Sequence, residues 1–516
     1  MSAPRLLRAF ATVGGWTLAS RVLGFVRDIL IAATLGAGPV AQAFLVAFAL
    51  PNMFRRFFAE GAFNMAFIPL FAKKLQSGED ARGFARDAFG GLAFVLVIVT
   101  VVALLAMPWL VLAMAGGFLA DERLELATLY GRIAFPYILF ISLAALLSGV
   151  LNSLGRFTAA AAAPLLLNLL FIAAIWAAVR AGWPVGDALA WTVPVAGVAQ
   201  LALVWVAAAR AGFALFPARP RLTPELRRLA VIALPAVLAG GVVQINLIVG
   251  RQVASFFDGA IAWLAYADRL YQLPLGVVGI AIGVVLLPDL SRRLATGDGG
   301  GGRWSFNRAT EFALALTLPA AVALVVIAEP LVSVLFQRGA FGPADTAATA
   351  LAVAVYGLGL PAFVLQKVLQ PLYFAREDTR SPFRFAIWAM VVNAVLAIGL
   401  APVIGYIAAA LGTTLAGWAM VWQLWRGARP MGAAAQPDER LLSRLPRIMA
   451  ASAIMGALLV GLAALLAPWL AASGIRYAAL GALVLSGIGV YFAAALGLGA
   501  ISAADLRDAL RRHRAG

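Results

Sequence analysis

Along its whole length the chain alternates between long apolar runs and short polar segments. A transmembrane helix needs about 20 mostly apolar residues to cross ~30 Å of hydrocarbon. Runs of that kind fall at 9–35, 40–72, 88–115, 124–154, 159–181, 186–211, 226–256, 260–290, 306–336, 345–374, 382–401, 404–426, 446–470 and 476–499. The pattern predicts an all-α polytopic membrane protein of about fourteen transmembrane helices. The second and eighth runs are interrupted by charges and prolines.

Composition agrees. Of 516 residues, 63% are hydrophobic and 12% charged, with mean hydropathy +0.94. Ordinary soluble domains are about half apolar and a quarter charged, so water is excluded as the solvent for most of this surface. The chain has no cysteine, which excludes disulfides, thiolate metal sites and cysteine nucleophiles. Its one histidine, His513, lies in an arginine-rich tail and reads as a solvated residue.

A formal charge of +17 could suggest nucleic acid, but the location of the charge decides. With both termini inside, 28 of the 40 basic residues fall in cytoplasmic segments and four, Arg123, Arg180, Arg338 and Arg476, in outer loops. The positive-inside rule then places the N- and C-termini in the cytoplasm, and no nucleic-acid partner is expected. Arg5 and Arg8 precede the first apolar run, and no small-residue cleavage site follows it, so that run reads as a retained helix.

Ile68-Pro69-Leu70-Phe71-Ala72-Lys73-Lys74-Leu75 ends the second run, and Leu287-Pro288-Asp289-Leu290-Ser291-Arg292-Arg293-Leu294 ends the eighth, 219 residues later. Pro136 and Pro361 are similarly spaced, at 225. Equivalent helices six spans apart predict two six-helix lobes of equal orientation, related by an axis along the membrane normal. The competing reading is that Pro and basic residues mark any helix end. The expected organisation is 1–212 as the N-lobe, 213–428 as the C-lobe, and 429–516 as a C-terminal helix pair with a basic tail. The glycine run 297–302 has no strand before it or lysine after it, and reads as a flexible loop.

Eight basic residues remain inside apolar runs: Arg21, Arg27, Arg55, Arg56, Arg132, Arg251, Arg269 and Lys367. A charge at mid-bilayer costs roughly 2.5–3.5 kcal/mol on insertion scales, so such residues face a cavity and mark a pathway unless they snorkel from a span end. At 100° per residue Ser20, Arg21, Gly24, Arg27 and Asp28 share one stripe. Asn52, Arg55, Arg56 and Glu60 share another, with Arg56 and Glu60 spaced to pair. Asp268, Arg269 and Gln272 form a third stripe, and Gln366, Lys367 and Gln370 a fourth. Asp28, Glu60 and Asp268 would neutralise three of the cations and leave an excess. The expectation is a wet cationic cavity between the halves for an anionic, phosphate-bearing substrate, which suits the bidentate, permanently charged guanidinium. The structural alternative is a set of internal ion pairs that only tie helices together. Pro51, Gly61, Pro69, Pro235, Pro274, Gly276, Gly279 and Pro288 would kink or break helices, and their concentration in the second and eighth runs favours gating elements over helix-end punctuation.

Ser20-Arg21-Val22-Leu23-Gly24-Phe25-Val26-Arg27-Asp28, with Leu50-Pro51-Asn52 and Arg55-Arg56-Phe57-Phe58-Ala59-Glu60-Gly61-Ala62-Phe63, resembles the MurJ (MviN) family of bacterial lipid II flippases. Tyr266-Ala267-Asp268-Arg269-Leu270, Phe336-Gln337-Arg338-Gly339-Ala340-Phe341 and Ala375-Arg376-Glu377-Asp378-Thr379 match further motifs. The resemblance implies a fold of the MOP exporter superfamily, and a non-enzymatic flippase of the inner membrane. Its cargo would be the undecaprenyl-pyrophosphate-linked peptidoglycan precursor, moved from the inner to the outer leaflet. It implies Arg21, Arg27, Arg55 and Arg269 as substrate residues, with Ser20 beside the first. Lys367 joins them from the residue pattern, and Asp28, Asn52, Arg56, Glu60, Asp268 and Gln272 form the supporting polar network. The last two helices are implied to extend a groove for the lipid tail. Where some relatives carry an acid and a lysine, this chain has Gln42 and Ala49, a departure that speaks against an acid–base switch built on those two positions.

No cofactor is expected. Membrane lipids are partners, and other cell-wall synthesis proteins are candidates. Alternating access, driven by the membrane potential, is the mechanism considered. Sodium coupling through Gln244, Asn246 and Asn393 is a lesser alternative, because intramembrane amides more often join helices. Rival readings are a flippase for another polyprenyl-pyrophosphate-linked glycan and a MATE-type exporter. The latter would be expected to carry intramembrane acids for organic cations. A glycan polymerase would want an outward carboxylate with a partner, and Asp121, Glu122, Asp187, Asp258 and Asp345 offer only Asp121 beside Glu122, read as loop solvation.

Overall fold

The computed structural model describes residues 3–56, 62–217 and 223–502, with side chains outside 3–11, 62–65, 233–247, 279–288 and single positions nearby. The helices are α1 (Ala3–Leu35), α2 (Pro39–Arg55), α3 (Ala62–Ser77), α4 (Ala81–Leu105), α5 (Met107–Met114), α6 (Arg123–Ala134), α7 (Tyr137–Ser153), α8 (Thr158–Ala181) and α9 (Val185–Arg210). They continue with α10 (Pro224–Ala254), α11 (Ala260–Ala295), α12 (Gly299–Val326), α13 (Ala328–Phe336), α14 (Pro343–Phe374), α15 (Arg380–Ile404), α16 (Ile407–Ala428), α17 (Glu439–Ala471) and α18 (Arg476–Gly497). No β-strand occurs among the described residues. Ten helical stretches among them are long and apolar enough to cross a membrane. The other apolar runs fall on α1, α2 with α3, α10 and α11, which carry Arg21, Arg27, Arg55, Arg251 and Arg269.

Several runs are broken pairs: 88–115 forms α4 and α5, 124–154 forms α6 and α7, and 306–336 forms α12 and α13. Proline explains the first. Pro108 lacks an amide hydrogen, so the carbonyl of Leu104, four residues earlier, loses its helical donor. Arg132 fills the vacancy, its Nε donating to Leu104 O at 3.2 Å. One of the unexpected intramembrane cations therefore serves the backbone. Pro136 breaks its helix, but Pro361, its expected counterpart, lies inside an unbroken α14. Likewise α11 runs as one helix through Pro274 and Pro288, so the expected interruption of the eighth run does not occur.

The repeat shows better in the backbone than in the prolines. Left-handed residues at Gly36, Gly78, Gly155, Gly182 and Gly212 recur at Gly259, Gly297, Glu377, Gly405 and Gly432, each 219 to 223 residues later. Glu377 adopts a conformation rare for residues other than glycine, and it does so where the first half has Gly155. The wraps match as well: Arg156 N donates to Leu151 O at 2.9 Å, and Asp378 N to Tyr373 O at 3.1 Å. Asp80 accepts from Gly83 N and Asp298 from Gly301 N, both at 2.7 Å, as the caps of α4 and α12. That capping corrects the expected glycine loop: residues 299–302 form the first turn of α12, because Asp298 supplies the acceptor that their amides need.

The chain forms two compact units, Met1–Ala262 with Arg338–Phe341, and Trp263–Gln337 with Gly342–Gly516. The sequence lobes end near 212, whereas α10 packs within the first unit on α3, α4 and α5. Gly116 N and Gly117 N donate to Gln252 Oε1 and Ser255 Oγ of the α10 terminus, both at 2.9 Å. The short turn Arg338–Phe341 seats backbone on backbone against the end of α1, with Ala340 N donating to Ala33 O at 2.8 Å. A Cβ on Gly339 would lie 2.2 Å from Ala33 O, and one on Gly36 2.5 Å from Ala340 O. Only glycine admits that approach.

In the second unit α16 packs on α14 and α15, and α12 on α14 and α17. The C-terminal pair is held by Tyr491, whose hydroxyl donates to Ala315 O at 2.5 Å, and by an ionic clamp at the start of α17. Glu311, 8% exposed, accepts from Arg308, Arg440 and Arg444. Arg308 also pairs with Asp438, the N-cap of α17. Burial pushes the Asp438 carboxyl up, but the Leu441 amide and Arg308 outweigh it and hold it below its usual range.

Replacing Glu311 by Gln removes the carboxylate on which Arg308, Arg440 and Arg444 converge, and leaves Arg308 its pair with Asp438. Loss of one member of a buried ion pair costs about 3–5 kcal/mol, so E311Q is expected to loosen α17 and expose the 429–438 connection to limited proteolysis. Asp438, with its depressed pKa, contributes fully above its unfolded value near 4 and is lost as pH falls through its lower folded value. Proteolysis of that connection should therefore not change between about pH 8 and pH 5, and should accelerate only in stronger acid.

Candidate anion-binding site

The first helix builds the best-defined polar site. Arg27 and Asp28 are both 7% exposed, while Arg21 on the same helix is exposed. Neighbours in sequence do not ordinarily face each other on a helix, but the long arginine arm folds back. Its Nε and Nη2 donate to Asp28 Oδ1 at 2.9 and 2.7 Å. Nη1 donates to Asn168 Oδ1 at 3.0 Å. Asn168, on α8, donates through Nδ2 to Ser20 O at 2.9 Å and to Ser20 Oγ at 3.3 Å. Gly24 makes room, since a Cβ there would already touch Asn168 Nδ2 at 3.4 Å.

Aromatic rings close the site. The Arg27 guanidinium lies 5.4 Å from the Phe171 centroid and 5.9 Å from that of Phe48. Phe44, Phe48 and Phe171 pack on one another at 5.6 to 6.1 Å. Of the stripe read from the sequence, Ser20, Gly24, Arg27 and Asp28 meet Asn168 or one another here, and Arg21 is exposed. Arg27 is engaged by its own neighbour, as the structural alternative holds. Asn168 was missed. Its only signal was an amide inside Leu165-Leu166-Leu167-Asn168-Leu169-Leu170-Phe171, which is costly in lipid unless paired.

On α2, Asn52 spends its amide on its own helix, donating to Phe48 O at 2.8 Å. Arg55 is half-buried and Arg56, the helix C-cap, is exposed. Glu60 lies outside the described residues, and with it the expected Arg56–Glu60 pair.

A second buried cation, Arg123, had been read only as an outer-loop charge. It is 5% exposed and donates through Nε and Nη2 to Asp121, the latter at 2.5 Å to Oδ2. Its Nη1 donates to Gln42 Oε1 at 3.1 Å and lies 3.4 Å from Asp258, and its guanidinium covers the Phe118 ring at 4.5 Å. Hydrogen bonds from Arg123 hold the Asp121 carboxyl below the usual carboxylate range despite its partial burial. Asp121 is therefore the partner of Arg123, not a solvating loop acid. Gln42 accepts from the same guanidinium, and the carboxylates beside it come from Asp121 and Asp258.

In the second unit Gln272 donates to Asp268 on α11, and Arg269 and Lys367 are exposed on α11 and α14. Gln366 donates to Gly417 O at 3.0 Å and joins α14 to α16. Asn393 is fully buried between α15 and α16, accepting from Thr413 at 3.5 Å, with Gly412 beneath it. It therefore joins helices. The side chains of Gln244 and Asn246 lie outside the described residues.

Comparison with known proteins covers nearly the whole chain. The family model described as lipid II flippase MurJ matches residues 31–479. A probable lipid II flippase MurJ of Rhizobium meliloti is 46% identical over 98% of this chain and 96% of its own length. The lipid II flippase MurJ of Burkholderia cenocepacia is 39% identical over 78% of this chain and 79% of its own. Among solved structures, a lipid II flippase MurJ in an inward closed conformation superposes with TM-score 0.77 at 24% identity, over 94% of this chain and 97% of that one. An inward-facing MATE transporter of the MOP superfamily gives 0.68 at 15%, covering 80% and 95%, a likeness of fold alone. A multi-pass helical membrane chain with arginines set into its first two helices and this extent of match belongs to the MurJ lipid II flippase family.

Proposed function

We propose that the chain carries lipid II, the undecaprenyl-pyrophosphate-linked peptidoglycan precursor, from the inner to the outer leaflet of the bacterial cytoplasmic membrane by alternating access. Both termini face the cytoplasm in this reading, which the distribution of basic residues supports. Transport, not catalysis, is the proposed activity. The observation that carries the proposal is a permanently charged guanidinium, Arg27, fixed among phenylalanines deep in the first helix and oriented by an amide from α8.

Arg21, Arg27 and Arg55, with Ser20, are the proposed contacts of the first unit, and Arg269 and Lys367 those of the second. Arg27 has five N–H donors and spends at least three on Asp28 and Asn168. A pyrophosphate offers more acceptor oxygens and more charge than Asp28, so it can draw the guanidinium away without leaving it unsatisfied. Asp28 would then act as the resting counter-ion of the empty carrier. The membrane potential supplies a drive of about 2.3 kcal/mol per charge at 100 mV, and its sign favours returning an empty cationic site toward a negative interior.

Arg21→Ala, Arg27→Ala and Arg269→Ala are each expected to abolish precursor export while the protein still inserts, read as growth of a cell depleted of its own flippase. Full complementation by all three would overturn the proposal. On depletion, the precursor accumulating on the inner leaflet should be lipid II; accumulation of a different polyprenyl-linked glycan would reassign the cargo. Asn168→Ala should lower export about tenfold, the effect of losing an orienting contact worth about 1.4 kcal/mol. Asn168→Gln should not rescue it, because the longer amide cannot reach both Ser20 and Arg27 in the space beside Gly24.

A further inference from the structure

A cavity of about 420 Å³ opens at the turn between α8 and α9, away from every residue assigned above. Trp183 and Trp191 line it with Asp187 between them in sequence, and Ala174, Ala177 and Ala188 form small-residue walls. Both indoles are more than 60% exposed, so they are not core residues. Asp187 is exposed in the first turn of α9 and lines the cavity with the two indoles. Gly186, the residue before it, seats the start of α9 on buried Tyr130: a Cβ there would stand 2.5 Å from the Tyr130 oxygen. One turn beyond Ala177, Arg180 stacks on Trp176 with its guanidinium 4.6 Å from the ring.

Tryptophans at a membrane interface are ordinary belt residues, and an acid in the first turn of α9 also favours the helix dipole. Neither accounts for a cavity that a carboxylate and two indoles line together. Phosphate-only headgroups are repelled by that carboxylate. An ammonium group is attracted both to it and to the faces of the indoles. Arg180, one turn along α8 from the lining residue Ala177, supplies a cation, the sign that a lipid phosphate requires.

We propose that this cavity binds the headgroup of a zwitterionic phospholipid, its ammonium at Asp187 between Trp183 and Trp191. The acyl chains run along the alanine face of α8. Ethanolamine and choline headgroups share this chemistry, and the cavity is of ordinary size for a small ligand. Such a lipid would act as a fixed element of the α8–α9 hairpin, separate from the transported precursor.

The test is native mass spectrometry of the full-length protein, delipidated in detergent and exposed to phosphatidylethanolamine, phosphatidylcholine or phosphatidylglycerol of matched chains. The expected result is retention of one or both ammonium-bearing lipids over phosphatidylglycerol by about tenfold, the scale of one desolvated cation–π contact with its ion pair. Asp187→Asn should erase that preference. A Trp183→Leu, Trp191→Leu double variant, which leaves the carboxylate in place, should lower retention of the ammonium lipids without raising that of phosphatidylglycerol. Equal retention of the three lipids by the unaltered protein, or an unchanged preference in both variants, overturns the proposal.

Discussion

In hydrocarbon a polar atom must find its partner within the protein, because water is not there to supply one. That constraint organises the first unit. Arg27 is anchored by Asp28 and Asn168, Asn168 by Ser20, and the guanidinium rests on phenylalanine faces. The same rule applies to backbone. Pro108 breaks a helix and frees the Leu104 carbonyl, and Arg132 answers it from another helix. The two arginines look alike in sequence, yet one completes a side-chain network and the other repairs a helix.

Closing the polar network in this way has a cost that fold and function share. A buried ion pair seldom adds stability over apolar packing, but losing one member is strongly destabilising. The pair therefore fixes geometry. It aims one guanidinium into a defined place, whereas Arg21 and Arg56 are exposed. The clamp at Glu311 obeys the same logic elsewhere: three arginines converge on one carboxylate and set where α17 begins. Neither arrangement could be built from lysine, which lacks the planar fork that reaches two acceptors at once.

Much of the fold was legible because its signal is local. Apolar runs long enough to span a bilayer, bounded by polar turns, place the helical stretches to within about seven residues, although four of the runs split into two helices. The repeat was legible too, although the prolines chosen as its markers were poor ones: Pro136 breaks a helix and Pro361 does not. Left-handed helix ends are the better record, since each fixes a chain reversal that both halves require. The glycine run before α12 misled for the opposite reason. Glycine is a poor helix former, and only the Asp298 cap makes a helical turn of it. In the site, the arginine stripe was visible from spacing, but its partners were not. Asn168 stands 141 residues from Arg27, and Gln42 stands 81 from Arg123. No periodicity along one helix carries such information.

Arg27 and Asp28 also bear on why a carrier of this kind would hold an acid beside its key cation. An empty site with an uncompensated guanidinium in an apolar wall would be costly, and it would accept any small anion. With Asp28 already in place, an incoming ligand must outbid a carboxylate at 2.7 Å. A single weakly charged group has little advantage in that exchange, since it replaces one charge-assisted contact with another. A pyrophosphate replaces it with more charge and more acceptors, and can reach neighbouring arginines as well. Under the proposed function, the acid beside the arginine would make an anion site discriminate by charge density, the property by which a polyprenyl pyrophosphate differs from the phospholipids that surround the protein.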